Sequence, residues 1–194
     1  NITVTDQVNK SEADTINNYT TGQVVLNSAS MTVTELAAVE ALNDSVMKFA
    51  DDGAISVSDA ASLTNANTIN NYTTGQVTLT SVSDTVANIT SIDGLTTTQV
   101  SMAGAAVSVS DAASLANATA INGFTTGQVT LTSVSDTVAN ITSIDGLTTS
   151  EVTMAGATVS VSDAASLANA NAINGFTTAQ VTLTSVSDTV ANIT

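Results

Sequence analysis

Along residues 107–132 (VSVSDAASLANATAINGFTTGQVTLT) the spacing of apolar residues changes period twice. Val107 and Val109 alternate with Ser108 and Ser110, the two-residue step of a strand with one buried face. Leu115, Ala118 and Ile121 then recur every third residue, the stripe of a short helix. Val129-Thr130-Leu131-Thr132 returns to alternation. Between the first strand and the helix lies Ser110-Asp111. A hydroxyl side chain is a good N-cap, and an acid in the first turn suits the helix dipole. At Thr34-Glu35 the acid is Glu, a poor cap, so the reading assigns capping to the Ser/Thr column. It names Ser58, Ser83, Ser110, Ser135 and Ser162 as caps. Asn or Gly at Asn18, Asn71, Gly94, Gly123, Gly146 and Gly175 predicts a left-handed helix stop, closed by the large apolar residue that follows each.

The pattern recurs. Residues 81–132 and 133–184 align without gaps and differ at six positions, a period of 52 residues. The Ser/Thr-acid landmark at Asp6, Glu35, Asp59, Asp84, Asp111, Asp136, Asp163 and Asp188 divides each period into two halves of about 26 residues. The halves differ. After Ser133 the helical stripe is Val138, Ile141, Ile144 and Leu147, every third residue, with room for one turn or partly 3₁₀ geometry. The following strand region, Val152 to Val161, is broken by Ala155-Gly156-Ala157, a corner or bulge. A ten-residue helix and a five-residue strand are each unstable alone, so every repeat must bury its apolar side on its neighbours. The expected fold is an α/β solenoid with one parallel strand and one short helix per coil, right-handed and like a leucine-rich repeat in plan. Residues 1–194 read as one array, divergent over 1–55 and near-identical over 56–194. The array ends in mid-repeat, which predicts either a segment of a longer chain or ends covered by another copy.

Charge narrows the partners. Lys10 and Lys48 face 17 acidic residues, for a net charge of −15, and there is no Arg or His. Nothing here neutralises phosphates, which argues against nucleic acid and against an anionic membrane surface. Ser and Thr interrupt every apolar run well short of the ~20 residues a transmembrane helix needs. Five Phe and Tyr residues in all are too few for the aromatic girdles of a membrane barrel. Without Cys there is no disulfide framework.

The runs Val-Ser-Val-Ser-Asp-Ala-Ala-Ser-Leu and Ser-Val-Ser-Asp-Thr-Val-Ala-Asn-Ile resemble repeats of large secreted and cell-surface bacterial proteins. These include giant adhesins, surface-layer proteins and calcium-loaded secreted proteins. The resemblance covers nearly the whole chain, least well residues 31–55, and implies an extracellular or cell-surface structural role. The Gly-Gly-x-Gly-x-Asp nonapeptide that binds calcium in such proteins does not occur.

Candidate chemistry is sparse. Without His or Cys, and with near-identical acids in every repeat, the chain reads as non-enzymatic. The column Asp59, Asp84, Asp111, Asp136 and Asp163 would stand about 5 Å apart on successive strands. Each carboxylate has two expected roles: facing its own helix N-terminus and water, or bridging calcium between coils or molecules. Thr78-Leu79-Thr80, Thr130-Leu131-Thr132 and Thr182-Leu183-Thr184 could form an outward Thr array of the kind that binds ice. Phe124 and Phe176 sit at helix stops, where core packing is expected rather than a sugar platform. Asn88-Ile89-Thr90 and Asn140-Ile141-Thr142 fall on predicted buried segments and are not read as glycosylation sites. The expected function is a structural element of a surface layer, sheath, filament or adhesin stalk that self-associates end to end or laterally. The alternative is a binding module for a surface glycan or for ice.

Overall fold

The structure is a computed structural model that describes residues 1–42, 45–95, 99–147 and 151–193. Among the described residues ten strands alternate with short helices, and every strand pair detailed below is parallel. The chain divides into two compact units, residues 1–82 with 88–105, and residues 83–87 with 106–194.

In the first unit, β1 (Ile2–Val8), β2 (Val24–Met31), β3 (Met47–Ala61) and β4 (Val77–Asp84) lie side by side in that order, and β5 (Val100–Ser101) adds to β4. Helices α1 (Lys10–Asn17), α2 (Val33–Glu40) and α3 (Leu63–Asn70) each follow a strand, as does α4 (Val86–Gly94); the end of β4 and the start of α4, residues 83–87, belong to the second unit. In the second unit, β6 (Ala106–Ala113), β7 (Val129–Asp136), β9 (Thr158–Ala165) and β10 (Val181–Val186) lie in order, and β8 (Val152–Thr153) adds to β7. The helices there are α5 (Leu115–Phe124), α6 (Val138–Gly146), α7 (Leu167–Phe176) and the one-turn α8 (Val190–Ile193).

Inward positions make each core. Val77 and Leu79 of β4 align with Ile55 and Val57 of β3, and Val129 and Leu131 of β7 with Val107 and Val109 of β6, all at most 2 % exposed. Ile69 and Ile92, like Ile121, Ile144 and Ile173, close the helical side. Each such side chain contributes about 1.5–3 kcal/mol when fully buried, and alternation makes every second strand residue available for it. The Val138 segment is an α-helix over nine residues, with Ile141 and Ile144 buried. The corner at Ala155-Gly156 separates β8 from β9, closed by the Ala157 N–H on the Met154 carbonyl at 2.9 Å. Phe124 and Phe176 are partly buried.

Two expectations about helix ends are corrected. Ser58, Ser83, Ser110, Ser135 and Ser162 cap nothing; all five lie exposed within strands. Past Ser58, Ser110 and Ser162 the strands run on to Ala61, Ala113 and Ala165, which are buried on the core side. The caps are Asn9, Thr32, Ser62, Ser114, Thr137 and Ser166. Nor do the helices stop in the left-handed region. No described glycine has positive φ. Asn18 and Asn71 are right-handed at φ −70° and −83°. α5 and α7 run through Gly123 and Gly175 and end on extended Thr125 and Thr177. These threonines and Thr73 are buried just beyond the helix ends. Thr177 donates to the Ala157 carbonyl at 2.6 Å and accepts the Ala179 N–H at 3.0 Å, as Thr73 does with Gly53 and Gly75.

Candidate functional site

The acidic column is the recurring chemical feature, and strand bulges set alternate members of it. In β1, β3, β6 and β9 the register slips at Thr5-Asp6, Ser58-Asp59, Ser110-Asp111 and Ser162-Asp163, where two residues face one on the next strand. A bulge re-aims its side chains. Opposite three of the bulges stand Thr80, Thr132 and Thr184, whose hydroxyls donate to the carbonyls of Val57, Val109 and Val161 at 2.7, 2.7 and 2.8 Å. The second Thr of each Thr-x-Thr is thus engaged in the sheet. The first stands in a mixed row, Ser56-Thr78-Ser101 or Ser108-Thr130-Thr153, rather than an all-Thr ladder.

Three of these re-aimed carboxylates, Asp59, Asp111 and Asp163, meet the helix before their own. The Val33 N–H, first of α2, donates to Asp59 at 2.8 Å. The Val86 N–H of α4 donates to Asp111 at 2.7 Å, and that of Val138 in α6 to Asp163 at 2.8 Å. The other half of the repeat does the same without a bulge: Leu115 of α5 donates to Asp136 at 2.9 Å, and Leu167 of α7 to Asp188 at 2.8 Å. The expected role at a helix N-terminus is therefore present, but the helix belongs to the preceding repeat.

Three of the four orphan N–H groups at such an N-terminus find side-chain partners. In α5 the Ser114 hydroxyl accepts the Asn117 N–H, and Asn117 Oδ1 accepts the Ser114 N–H at 3.0 Å, a capping box. Asp136 takes the Leu115 N–H between them. The chain thus carries two kinds of strand–helix pair. In the A-type (β1–α1, β3–α3, β6–α5, β9–α7) the cap is Asn9, Ser62, Ser114 or Ser166, three residues after the column Asp. In the B-type (β2–α2, β4–α4, β7–α6, β10–α8) the helix follows Thr32, Thr85, Thr137 or Thr189, with Asp84, Asp136 and Asp188 adjoining the last three. There the Asp also holds its own helix: the Thr85, Thr137 and Thr189 N–H groups donate to Asp84, Asp136 and Asp188 at 2.8, 2.8 and 2.7 Å. The amides of Asn140 and Asn192 donate to the same oxygens of Asp136 and Asp188.

These bonds shift ionisation. Burial acts to raise the Asp136 carboxyl, but the Leu115 N–H, the Asn140 amide and the Thr137 N–H together hold it below the usual carboxylate range. At Asp188 the Asn192 amide and the N–H groups of Leu167 and Thr189 lower it in the same sense against slight desolvation.

Among the described residues no three acidic side chains converge on a point where a metal could sit. Asp59, Asp111, Asp136 and Asp163 are instead each turned onto a backbone N–H, and Asp84 onto that of Thr85. The sequence carried signals for the true caps in Asn9-Lys-Ser-Glu12 and Thr32-Val-Thr-Glu35, capping boxes in which Glu is the third helical residue. Among the described residues no helix is long and apolar enough to cross a membrane. No protein-family model, no curated protein and no solved structure matches the chain.

Proposed function

We propose that this chain is a structural repeat protein of the extracellular space or cell surface, part of a surface layer, sheath, filament or adhesin stalk. In this reading each unit is a stretch of right-handed α/β solenoid with coils of about 26 residues. One observation carries it: the chemically capable side chains are spent on holding successive repeats together, with a carboxylate from one repeat on the first N–H of the helix before it. A catalytic or ligand-binding protein sets its polar groups apart at one singular place, whereas here the same arrangement recurs. The net charge of −15 gives a hydrated surface open to divalent cations between molecules. Nothing in the set of side chains offers a platform for nucleic acid.

Electron microscopy of the native material, in millimolar calcium and after chelation, tests this. Continuous filaments or a lattice support a structural polymer, and their loss on chelation assigns calcium to contacts between molecules. Isolated particles in both conditions overturn self-assembly and favour a glycan-binding module.

A further inference from the structure

We propose that the hollow between Asp51 and the C-terminal end of α3 binds a neutral saccharide. The inference goes beyond the structural role and does not depend on assembly, since a stalk, sheath or layer carries such a site equally well.

Asp51, Asn70, Asn71, Tyr72, Thr73 and Thr74 line this hollow, whose volume is about 360 Å³. All six belong to the first unit. Pockets for small ligands run from about 300 Å³ upward and set a few convergent polar groups beside apolar or aromatic side chains.

The recurrence of the repeats breaks here. The same place in the second unit is identified by its hydrogen bonds. The Thr74 N–H donates to the Asp51 carbonyl at 2.6 Å, and the Thr178 N–H to the Ala155 carbonyl at 2.8 Å. The Thr73 and Thr177 hydroxyls donate to the carbonyls of Gly53 and Ala157, each at 2.6 Å. Asn70, Thr73 and Thr74 recur there as Asn174, Thr177 and Thr178, two periods of 52 residues on. The other three lining residues differ: Asp51 stands for Ala155, Asn71 for Gly175 and Tyr72 for Phe176. Each difference adds a polar group, and unrelated surface changes have no reason to share one hollow. The triplet also ends α1 as Asn17-Asn18-Tyr19, where no ring among the described residues stacks on Tyr19.

The groups are held in place and mixed in kind. Phe49 stacks on Tyr72 with ring centroids 6.2 Å apart and planes 10° apart, which fixes the ring. A Cβ at Gly75 would collide with the carbonyl oxygens of Asp52 and Gly53, whereas the same step holds Ala179 in the last repeat. The corner that carries Asp51 therefore presses close to the chain leaving α3. Among the described residues nothing bonds the amides of Asn70 and Asn71 or the Tyr72 hydroxyl. Each amide offers two N–H donors and an acceptor oxygen, and Asp51 adds carboxylate acceptors. Burial and the nearby Glu40 carboxylate push the Tyr72 pKa up, which keeps its hydroxyl a donor. Sugar hydroxyls both donate and accept, and an aromatic ring beside them suits the C–H groups of the sugar. Lys48 already faces Asp51 at 3.3 Å. An anionic sugar would meet Asp51 and Glu40, hence the neutral class.

Binding of the 194-residue chain to an array of neutral oligosaccharides of glucose, galactose, mannose and N-acetylglucosamine, with sialylated and uronate-bearing counterparts, tests the site. Calorimetric titration with the strongest neutral binder then compares variants. Asp51→Ala, Asn71→Gly and Tyr72→Phe restore the residues of the other repeat, which the fold accepts at Ala155, Gly175 and Phe176. Each is expected to weaken binding about fivefold, the size of one lost hydrogen bond. The triple variant is expected to lose binding with its thermal melt unchanged. A parent chain that binds no neutral saccharide, or only acidic ones, overturns the site, as do variants that keep the parent's affinity. Filaments or their absence by microscopy decide the structural role separately.

Discussion

Asp163 accepts a hydrogen bond at 2.8 Å from the backbone N–H of Val138, a residue 25 positions earlier and one helix back. It ties β9 to the first turn of α6, and the same relation joins Asp111 to Val86 and Asp59 to Val33. The bond is charge-assisted and lies at the positive end of a helix dipole. Replacing Asp163 with Ala is expected to cost about 1–2 kcal/mol, the range of a lost cap. Asp163→Asn, which keeps an acceptor oxygen, is expected to cost less. Urea denaturation of the parent and both variants measures the difference.

Acid is expected to loosen the protein through Asp136 and Asp188. Both have folded-state values below the usual one. A depressed carboxylate contributes stability that is fully present above its unfolded value, about 3.9, and is lost as pH falls through the folded value. The denaturation midpoint should therefore carry the full, constant contribution of these groups between pH 5 and 8, on the order of a pH unit or more above that value, and fall below it. Asp136→Asn should flatten the acid limb. An acid limb of unchanged steepness in Asp136→Asn would assign the loss to other groups.

Buried threonine hydroxyls recur just beyond the helix ends. Thr177 satisfies the Ala157 carbonyl and the Ala179 N–H together. The near-isosteric Thr177→Val leaves both unpaired, at a cost of about 1–3 kcal/mol for the buried groups. Thermal melting followed by far-ultraviolet circular dichroism reads it, with Thr178→Val at an exposed neighbouring position as the smaller-effect control.

Backbone strain sits at two matching places. Gln99 and Glu151 have φ of 79° and 71°, the left-handed region that side chains disfavour. They stand 52 residues apart, and each carbonyl takes the N–H of a strand valine, Val77 or Val129, at 3.0 Å. Relief of about 1–2 kcal/mol of left-handed strain is partly offset by about 0.5–1 kcal/mol for the added freedom of glycine in the unfolded chain. Glu151→Gly is therefore expected to be neutral or slightly stabilising, whereas Glu151→Val should destabilise. Denaturant midpoints of the two variants check this.

Calcium is expected to leave the fold's own stability nearly unchanged, because the carboxylates of the column are turned onto N–H groups. A calorimetric scan with calcium and with chelator should give melting temperatures within about 2 °C, less than the shift from ~1 kcal/mol in a domain of this size. A saturable rise of many degrees would place the ion within the column.

Local pattern was enough to read the alternation of parallel strands with short helices. Val107, Val109, Val129 and Leu131 follow the two-residue step, and Ala118 and Ile121 a helical one; these periods belong to the backbone itself. The repeat made clear that neighbours must bury one another's apolar faces. The helix starts were misplaced because Ser110-Asp111 satisfies a local capping rule equally well on paper. The competing Ser114-Leu-Ala-Asn117 box prevails because Ala113 is held in the sheet. At the bulge at Ser110-Asp111 the Thr132 hydroxyl, on the next strand, donates to the Val109 carbonyl. The helix that Asp111 serves lies 25 residues back. Composition and periodicity decided the elements and their common face. Register, the bulges and the destination of each carboxylate were decided only in three dimensions, since each depends on a partner distant in sequence that no local rule can see.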